Sequence, residues 1–252
     1  MAKYKSSSIS DKWKKTNWLL EQGDLRKHVP HTATFDRKNL FSMLSKYSTV
    51  YFKPTHGSGG AGIIRINKKN NGYQTQFKKE KSFFATADEL YHMLSRFSNK
   101  RPNLLQKGIP LAKTNGKLFD IRVMVQKTKK GEWISTAVFA KIGSPGKIAT
   151  NYNQGGSLGL FQPTLTGAGF HSASIQNTEK ALKQLGVSVA KNFDRHLKGF
   201  QELGLDVAVD NKEKLWILEV NTRPQIYPLK FLKDKKLYHR TLSYAKQYGR
   251  LK

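Results

Sequence analysis

"YFKPTHGSGGAGIIRI" (Tyr51–Ile66) ends an apolar strand with a lysine and a proline, places four glycines within six residues and resumes as a strand. The order of these parts decides what the stretch can be. In the phosphate loop G-x-x-x-x-G-K-[ST] the lysine follows the glycines and opens a helix. Here Lys53 comes first and "GIIRI" reads as a strand, which excludes the P-loop and the dinucleotide fingerprint. A strand–glycine loop–strand hairpin can instead fold over a nucleotide as a lid. Its backbone N–H groups would face phosphate oxygens, and Lys53 would supply a fixed positive charge from the strand beneath. Taken by itself, the stretch is equally an ordinary hairpin loop.

The rest of the chain bounds these alternatives. Its 252 residues are 38% hydrophobic and 11% aromatic, enough for a substantial core, while 25% charged residues and a mean hydropathy of -0.59 describe a very polar surface. Forty-five Lys and Arg against 17 Asp and Glu give +28 and a pI near 10.2, a potential that attracts polyanions. The basic residues are spread along the chain, and no ribonucleoprotein-type aromatic motif accompanies them. Nucleic-acid or polyanion binding therefore rests on charge alone, and specific nucleic-acid recognition is not expected. The absence of cysteine excludes disulfides, zinc–thiolate sites and thiol nucleophiles. Seven histidines without H-x-x-x-H spacing give no zinc signature, and no serine sits in a G-x-S-x-G elbow. Apolar runs such as "TAVFA" and "LWILEV" fall far short of the ~20 residues of a membrane span. "MAKYKSSSIS" lacks the apolar core of a secretory signal, so a cytoplasmic protein without a membrane span is the expectation.

Periodicity supplies the elements. Residues 1–10, rich in serine and lysine, read as loose; Trp13, Trp18 and Leu19 then mark a short helical face before Gly23 and Pro30 break it and an extended segment follows. Strands start at Val50, resume in "GIIRI" and return as "YQTQF" after the Asn-Gly pair of "KNNG". Thr86 and Glu89 have capping-box spacing ahead of Leu90, Met93, Leu94 and Phe97, which predicts a helix over 87–98. A short strand, "LLQ", follows Pro102. "KLFDIRVMVQ" and "EWISTAVFAKIG" read as an antiparallel pair, followed by a long loop, "SPGKIATNYNQGGSLG", of the kind that is usually functional or disordered. Leu182, Leu185, Val189, Phe193 and Leu197 mark a long helix ending near Gly199, and a last helix is expected after Pro228. No βαβ series appears, so two α+β lobes with antiparallel sheets are expected.

Two further constellations carry chemistry. In "GLDVAVDNKEKLWILEVN" (Gly204–Asn221) a turn centred between Lys212 and Glu213 sets Asp206 opposite Glu219, with Asn221 diagonal to it on the face of Glu219. Two carboxylates and an amide oxygen at one sheet end suit Mg²⁺, or Mn²⁺ in its place, which fills its remaining positions with water and phosphate oxygens. The alternative is a structural ion pair of these acids with Arg122 or Arg223. In "FDIRVMV", Asp120 and Arg122 share one strand face. Asp120 could accept from ribose hydroxyls and Arg122 could stabilise a transferring phosphoryl group, although an Asp-x-Arg pair alone is more often a surface ion pair. Trp133 and Trp216, in strands, read as core.

In this order and spacing, "YFKPTHGSGGAGIIRI", "LFDIRVMV", "TNYNQGGS" and "ELGLDVAVDNKEKLWILEVNTRP" resemble the ATP-grasp superfamily, most closely its YheC/YheD-type endospore-coat-associated branch. The resemblance runs from about Asp11 to Gln225. It implies two α+β lobes gripping Mg²⁺-ATP and a ligase that activates a carboxylate as an acylphosphate, which an amine or similar nucleophile then attacks. It makes Lys53 the strand lysine on the α and β phosphates and His56, Gly57, Ser58, Gly59 and Gly60 the mobile lid. Gln106, Lys107, Gly108 and Ile109 become the hinge that reads adenine through its backbone, and Asp120 becomes the ribose acid. It further places Arg122 and Lys141 near the γ-phosphate or acylphosphate, Asp206, Glu219 and Asn221 on the metal, Asn151 on phosphate or substrate and Lys12 as the first ATP lysine. The substrate pocket is expected beside Arg122 and Arg223.

On this reading residues 1–45 are an N-terminal basic segment and helix, 46–110 the small lobe with the lid and 111–252 the large lobe with the metal site. Two departures stand out: Gln106 occupies a position where many relatives have Glu, and about fifty residues precede Lys53 where such enzymes usually carry an α/β domain. Substrate recognition is then expected to use another surface, an oligomer partner or a separate protein. Two other functions remain open. One is a nucleotide-binding structural or coat-associated protein without catalysis. The other is a polyanion binder whose +28 surface recruits an acidic polymer or protein.

Overall fold

Asp11 opens the first helix, α1 (Lys12–Glu21), by accepting from the Lys14 N–H, which satisfies a first-turn donor. The structure is a computed structural model and describes residues 4–57, 59–144 and 155–250. In chain order it continues through α2 (Gly23–Arg26), β1 (Thr32–Thr34), α3 (Arg37–Lys46), β2 (Thr49–Pro54), β3 (Ile64–Lys69), β4 (Gly72–Phe77), β5 (Glu80–Phe84), α4 (Ala87–Ser98) and β6 (Asn103–Lys107). The second half holds β7 (Lys113–Thr114), β8 (Lys117–Lys127), β9 (Trp133–Ile142), β10 (Ser157–Leu160), α5 (Phe161–Thr166), α6 (Ser172–His196), β11 (Glu202–Val209), β12 (Leu215–Asn221), a 3-10 turn (Tyr227–Phe231) and α7 (Lys236–Gln247).

These elements build two antiparallel sheets. The smaller runs β1-β6-β2-β3-β4-β5, and the larger runs β10-β9-β8-β11-β12 with β7 paired to β8. On the small sheet, Leu40, Met43 and Leu44 of α3 and Leu90 and Leu94 of α4 pack against Val50, Phe52, Ile64, Ile66 and Leu105. The large sheet is covered on both faces. Leu182, Leu185, Val189 and Phe193 of α6, with Trp18 and Leu19 of α1, meet Ile121, Val123, Val125, Leu203 and Leu205. On the other side Ile226, Leu229, Leu232 and Ala245 meet Met124, Ala137 and Phe139. Every residue of β11 is therefore buried, which explains its nearly unbroken apolar run. Among the described residues no helix is long and apolar enough to cross a membrane.

The expected α+β architecture with antiparallel sheets is present, and the differences are local. Thr86 caps α4 by accepting from Glu89 N–H, while Glu89 reaches back to Ala85 N–H, one residue earlier than a capping box predicts. Helix α3 was not anticipated, although Asp36 caps it and Leu40, Met43 and Leu44 carry its apolar face. The short elements β5, β7, β10 and α5 were also not anticipated, while β1 lies in the extended segment expected after the first helix. Pro228 opens only the 3-10 turn, and the last helix begins at Lys236. Residues 4–10 are not loose: the serines that suggested it provide the anchors. Ser7 N–H donates to Gly199 O (3.0 Å), Ser7 Oγ to Lys198 O (2.7 Å), and Gln201 N–H to Ser6 Oγ (3.2 Å). Tyr4 Oη donates to Oε1 of the fully enclosed Glu202 (2.8 Å), Tyr248 Oη to its Oε2 (2.6 Å), and Arg250 forms an ion pair with it. Three partners thus compensate a carboxylate that would be costly to bury alone.

Helix α6 approaches the large sheet most closely at Gly186, where a Cβ would lie 2.9 Å from both Val123 Cγ1 and Val125 Cγ2. Gly186→Leu is therefore expected to overpack this contact and lower stability by about 1–3 kcal/mol, read as a lower urea midpoint. An unchanged midpoint would contradict the packing described.

Candidate active site between the sheets

The floor of the site is one face of the large sheet. Register sets Asp206 opposite Glu219 on β12 and opposite Arg122 on β8, and sets Asp120 opposite Lys141 on β9. Between Asp206 and Val207 the pairing with β12 slips, so that Val207 faces Ile217 and Leu218 is the extra residue of a bulge. The charged groups converge on Asp206. Arg122 Nε lies 2.6 Å from its Oδ1, Lys141 Nζ lies 3.0 Å from the same oxygen and 3.1 Å from Asp120 Oδ1, and Asn221 Nδ2 donates to Asp206 Oδ2 at 3.3 Å. Burial by itself would favour a neutral Asp206, but Arg122 and Lys141 outweigh it and hold the carboxyl at about 2. The Arg122 guanidinium is in turn raised despite its burial, chiefly by Asp206.

The roof comes from the small sheet. Lys53, at the end of β2, donates from Nζ to Gln106 Oε1 (2.8 Å), and Gln106 Nε2 donates to Thr32 Oγ1 (3.1 Å), which fixes both side chains. The carbonyl of the bulged Leu218 lies 3.4 Å from Lys53 Nζ. Burial pushes Lys53 down to about 8, with Glu219 opposing and Lys12 reinforcing the shift. The glycine loop that follows holds Gly57, Gly59, Gly60 and Gly62 at φ of 118°, 69°, 76° and 73°, a region that favours glycine. At Gly62 a Cβ would also lie 2.8 Å from Pro54 Cγ. The start of α1 holds the base of this loop. Lys12 N–H donates to Thr55 O (2.9 Å), Lys12 Nζ donates to Gly57 O (2.7 Å) and lies 3.9 Å from Glu219 Oε1, and Ser10 Oγ is 3.1 Å from His56 Nδ1.

A cleft of about 930 Å³, open mouth included, lies between roof and floor; of the residues singled out from sequence, Lys12, Lys53, Gly60, Gln106, Lys107, Ile109, Asp120, Lys141, Asp206 and Glu219 line it. Arg122 and Asn221 join it through Asp206, and His56 and Gly57 through α1. Gly108 donates its N–H to Thr49 O (2.9 Å), and a Cβ there would lie 2.5 Å from Thr49 Cγ2, so the hinge passes tightly against β2. Arg223 is not brought into the cleft: it is exposed, with its guanidinium carbon 5.7 Å from the centre of the Tyr4 ring. Ser58 and Asn151 lie outside the described residues.

Several neighbours were not anticipated. Tyr51, Leu111 and Leu218 also line the cleft; alternation along β2 puts Tyr51 on the face of Lys53, a signal available in the sequence. Lys15, one turn beyond Lys12, is buried and donates to Val220 O (2.6 Å), and burial lowers its pKa. Trp133 is core, but Trp216 is half-buried, with Lys107 Nζ 5.3 Å and Lys214 Nζ 3.8 Å from its ring centre. Lys107 also lies 5.3 Å from the ring of Tyr47, which caps α3, so this lysine of β6 lies between the end of that helix and Trp216 of the large sheet.

Electrostatically the site is built for an anion. Six cations (Lys12, Lys15, Lys53, Lys107, Arg122, Lys141) surround three carboxylates (Asp120, Asp206, Glu219), leaving three positive charges in excess. Among the described residues no group of three His, Cys, Asp or Glu is placed to hold a metal. Asp206 and Glu219, opposite each other in register, nevertheless offer carboxylate oxygens of the kind that suits a hard divalent cation completing its coordination with phosphate oxygens and water, whereas Asn221 turns its amide nitrogen to Asp206 Oδ2 and Gly204 O. The structural ion pair considered from sequence is also present between Asp206 and Arg122, whereas Glu219 lies nearest Lys12 rather than Arg223.

Known proteins share this architecture. The Bacillus subtilis (strain 168) endospore coat-associated protein YheD is 29% identical over 184 residues, 71% of this chain and 40% of its own length. Its counterpart YheC is 23% identical over 223 residues, 86% of this chain and 60% of its own length. The chain therefore spans about 40% to 60% of these curated relatives. Among solved structures, the D-alanine-D-alanine ligase from Coxiella burnetii superposes with a TM-score of 0.55 at 13% identity, covering 95% of this chain and 56% of that one. With a family model matching residues 2–251, which include all the described elements, the chain belongs to the YheC/D like ATP-grasp family.

Proposed function

We propose that this protein binds Mg²⁺-ATP in the cleft and uses it as a carboxylate ligase. The observation that carries the reading is the opposition of Lys53 and Lys12, beside the glycine loop, to Asp206 and Glu219 across a cleft with excess positive charge. Lys53 and Lys12 bind the phosphates, the backbone of Lys107 and Ile109 takes the adenine edge, and Asp120 accepts from the ribose. Asp206, Glu219 and, with its amide turned to offer oxygen, Asn221 would hold Mg²⁺, which would neutralise phosphate charge when bound.

Arg122 and Lys141 orient the transferred phosphoryl group and stabilise its charge. A carboxylate oxygen of the substrate attacks the γ-phosphorus as the bond to ADP breaks. An amine nitrogen then attacks the acyl carbon, phosphate leaves with the bonding pair, and the amine loses a proton to solvent. The glycine loop, closed over the cleft, excludes water from the acylphosphate. A second reading, a nucleotide-binding coat-associated protein without turnover, is favoured by the names of the two Bacillus relatives.

One assay separates them: Mg²⁺-dependent ADP formation with mixtures of carboxylates and amines. The ligase reading expects turnover that falls about a hundredfold or more in Glu219→Gln, with the variant folded by circular dichroism. Equal rates in the two proteins would remove Glu219 from the metal, and nucleotide binding without turnover on any mixture would favour the coat-associated role.

The proton on Lys53 gives a second test. With its pKa held at about 8, Lys53 is charged below that pH and neutral above it, and phosphate prefers the charged form. Mg²⁺-ADP affinity is expected to be flat at low pH and to weaken toward about tenfold per unit above pH 8, with proton uptake on binding near pH 8. In Lys53→Met it should be weak and follow no such slope. A wild-type affinity that is flat to about pH 9.5 would separate Lys53 from the phosphates.

A further inference from the structure

Helices α3 and α4 both lie on one face of the small sheet, where Leu40, Met43, Leu44, Leu90 and Leu94 pack on Ile64 and Ile66. Alternation turns the intervening residues of β3, β4 and β5 the other way, and register sorts them into two rows. One row runs Tyr51–Arg65–Gln76–Lys81 across β2, β3, β4 and β5, and the other runs Thr49–Asn67–Gln74–Phe83. The first starts in the wall of the cleft, which Tyr51 lines. Both end on β5, the outermost strand of the sheet, where Lys81 and Phe83 are exposed.

This open face is polar and positive. Arg65 Nη2 donates to Gln76 Oε1 (2.6 Å), while its enclosed Nε has no hydrogen-bond partner. Among the described residues neither Arg65 nor Lys81 forms an ion pair. Residues 63–84 hold six Lys and Arg against one acid, Glu80, and alternation sets Glu80, opposite Phe77, on the helix side. Asn67 Oδ1 accepts from Thr49 Oγ1 (3.0 Å), which leaves the Asn67 amide nitrogen, like that of Gln74, to donate. The face thus offers cations and amide donors with no acid of its own to answer them.

We propose that this face docks an extended acidic segment of a partner protein, with its carboxylates on Arg65 and Lys81, its backbone carbonyls on the amides of Asn67 and Gln74, and the methylene stem of an acid against Phe83. The spacing suits such a segment: Arg65 and Lys81, two strands apart, are separated by ~10 Å, the length of about three residues of extended chain. The charge sets the sign of the partner, and the supply of rings sets its class. Single-stranded nucleic acid is held by stacking successive bases on open aromatic rings, whereas here Phe83 is exposed and Tyr51 is half-buried beside Arg65 in the cleft wall. The proposal goes beyond the nucleotide chemistry and does not depend on it, although a segment seated on the first row leads toward the cleft.

The test titrates fluorescein-labelled decaglutamate into the whole chain without nucleotide, at physiological salt, where general attraction to the surface is screened. Lys81→Glu is expected to weaken binding about tenfold, and Arg65→Gln by a similar factor. The remote reversal Lys180→Glu, at an exposed position of α6, is expected to change it less than about twofold. Lys81, on an exposed edge strand, keeps the comparison valid should Arg65→Gln fail to fold. In wild type the side-chain amide NMR signals of Asn67 and Gln74 are expected to shift as the peptide binds, and in Lys81→Glu to stay in place at the same peptide concentration. The proposal is overturned if wild type does not bind the peptide, if Lys180→Glu weakens binding as much as Lys81→Glu, or if the amide signals do not move. It is equally overturned if an oligothymidylate of the same charge binds more tightly through Arg65 and Lys81, which would make the face a nucleic-acid surface. Mg²⁺-ADP affinity, measured separately, tests the nucleotide reading by itself.

Discussion

Asp206 is ionised inside the protein because Arg122 and Lys141 both reach the same carboxylate oxygen, and most of the candidate site is arranged around that fact. An acid in the middle of a fully buried strand would ordinarily be neutral or destabilising. Here two cations from neighbouring strands compensate it, and the strands must keep their register for both to arrive. The order β9-β8-β11-β12 is therefore both a packing solution and the device that lines up Lys141, Arg122, Asp206 and Glu219 across four strands. Apolar contacts with α6 on one side and α7 on the other clamp that register in place.

The opposite wall works on a different principle. Lys53 keeps its position through neutral partners, the Gln106 amide and the Leu218 carbonyl, so its charge is only partly answered within the protein. A glutamate at 106 would answer it fully, and the glutamine leaves that charge for a ligand. The glycine loop beyond it has little side chain of its own to hold it. Its base is secured by α1, whose apolar face belongs to the core of the large sheet while Lys12 reaches the loop. One short helix thus connects the core beneath one wall to the glycine loop of the other.

The sequence was most informative where a single strong rule applied. The glycines and the capping residues of α4 were legible because their chemistry has few alternatives. The expected pairing of Asp206 with Glu219 is present, but not by turn arithmetic alone: the turn pairs Val209 with Leu215, which would set Asp206 opposite Leu218, and the bulge at Leu218 brings Glu219 into place. Of the elements that were missed, β5, β7, β10 and α5 are two to six residues long, carry little periodicity of their own and draw their stability from the sheet or core they join, whereas the ten-residue α3 was legible in its Asp36 cap and in the spacing of Leu40, Met43 and Leu44. The anchoring of residues 4–10 depends on acceptors some two hundred residues away, which local composition cannot show. Arg223 illustrates the limit for site residues: Asn221, two residues earlier, bonds to Asp206 while Arg223 turns outward to Tyr4, a direction set by how the chain leaves β12.

The bulge at Leu218 gives β12 something like a reading frame. Before it, Leu215 and Ile217 face the core; after it, Val220 does, while Trp216 and Glu219, three apart, both serve the opposite side. A perfectly alternating strand could not do this, since one parity would bury Glu219 or expose Ile217. Besides the apolar wall that Leu218 gives the cleft, its place as the extra residue sets this frame, so the strand tolerates a change of letter there far better than a change of length. Loss of one residue would shift every later side chain to the wrong face and carry Glu219 and Asn221 out of the site together.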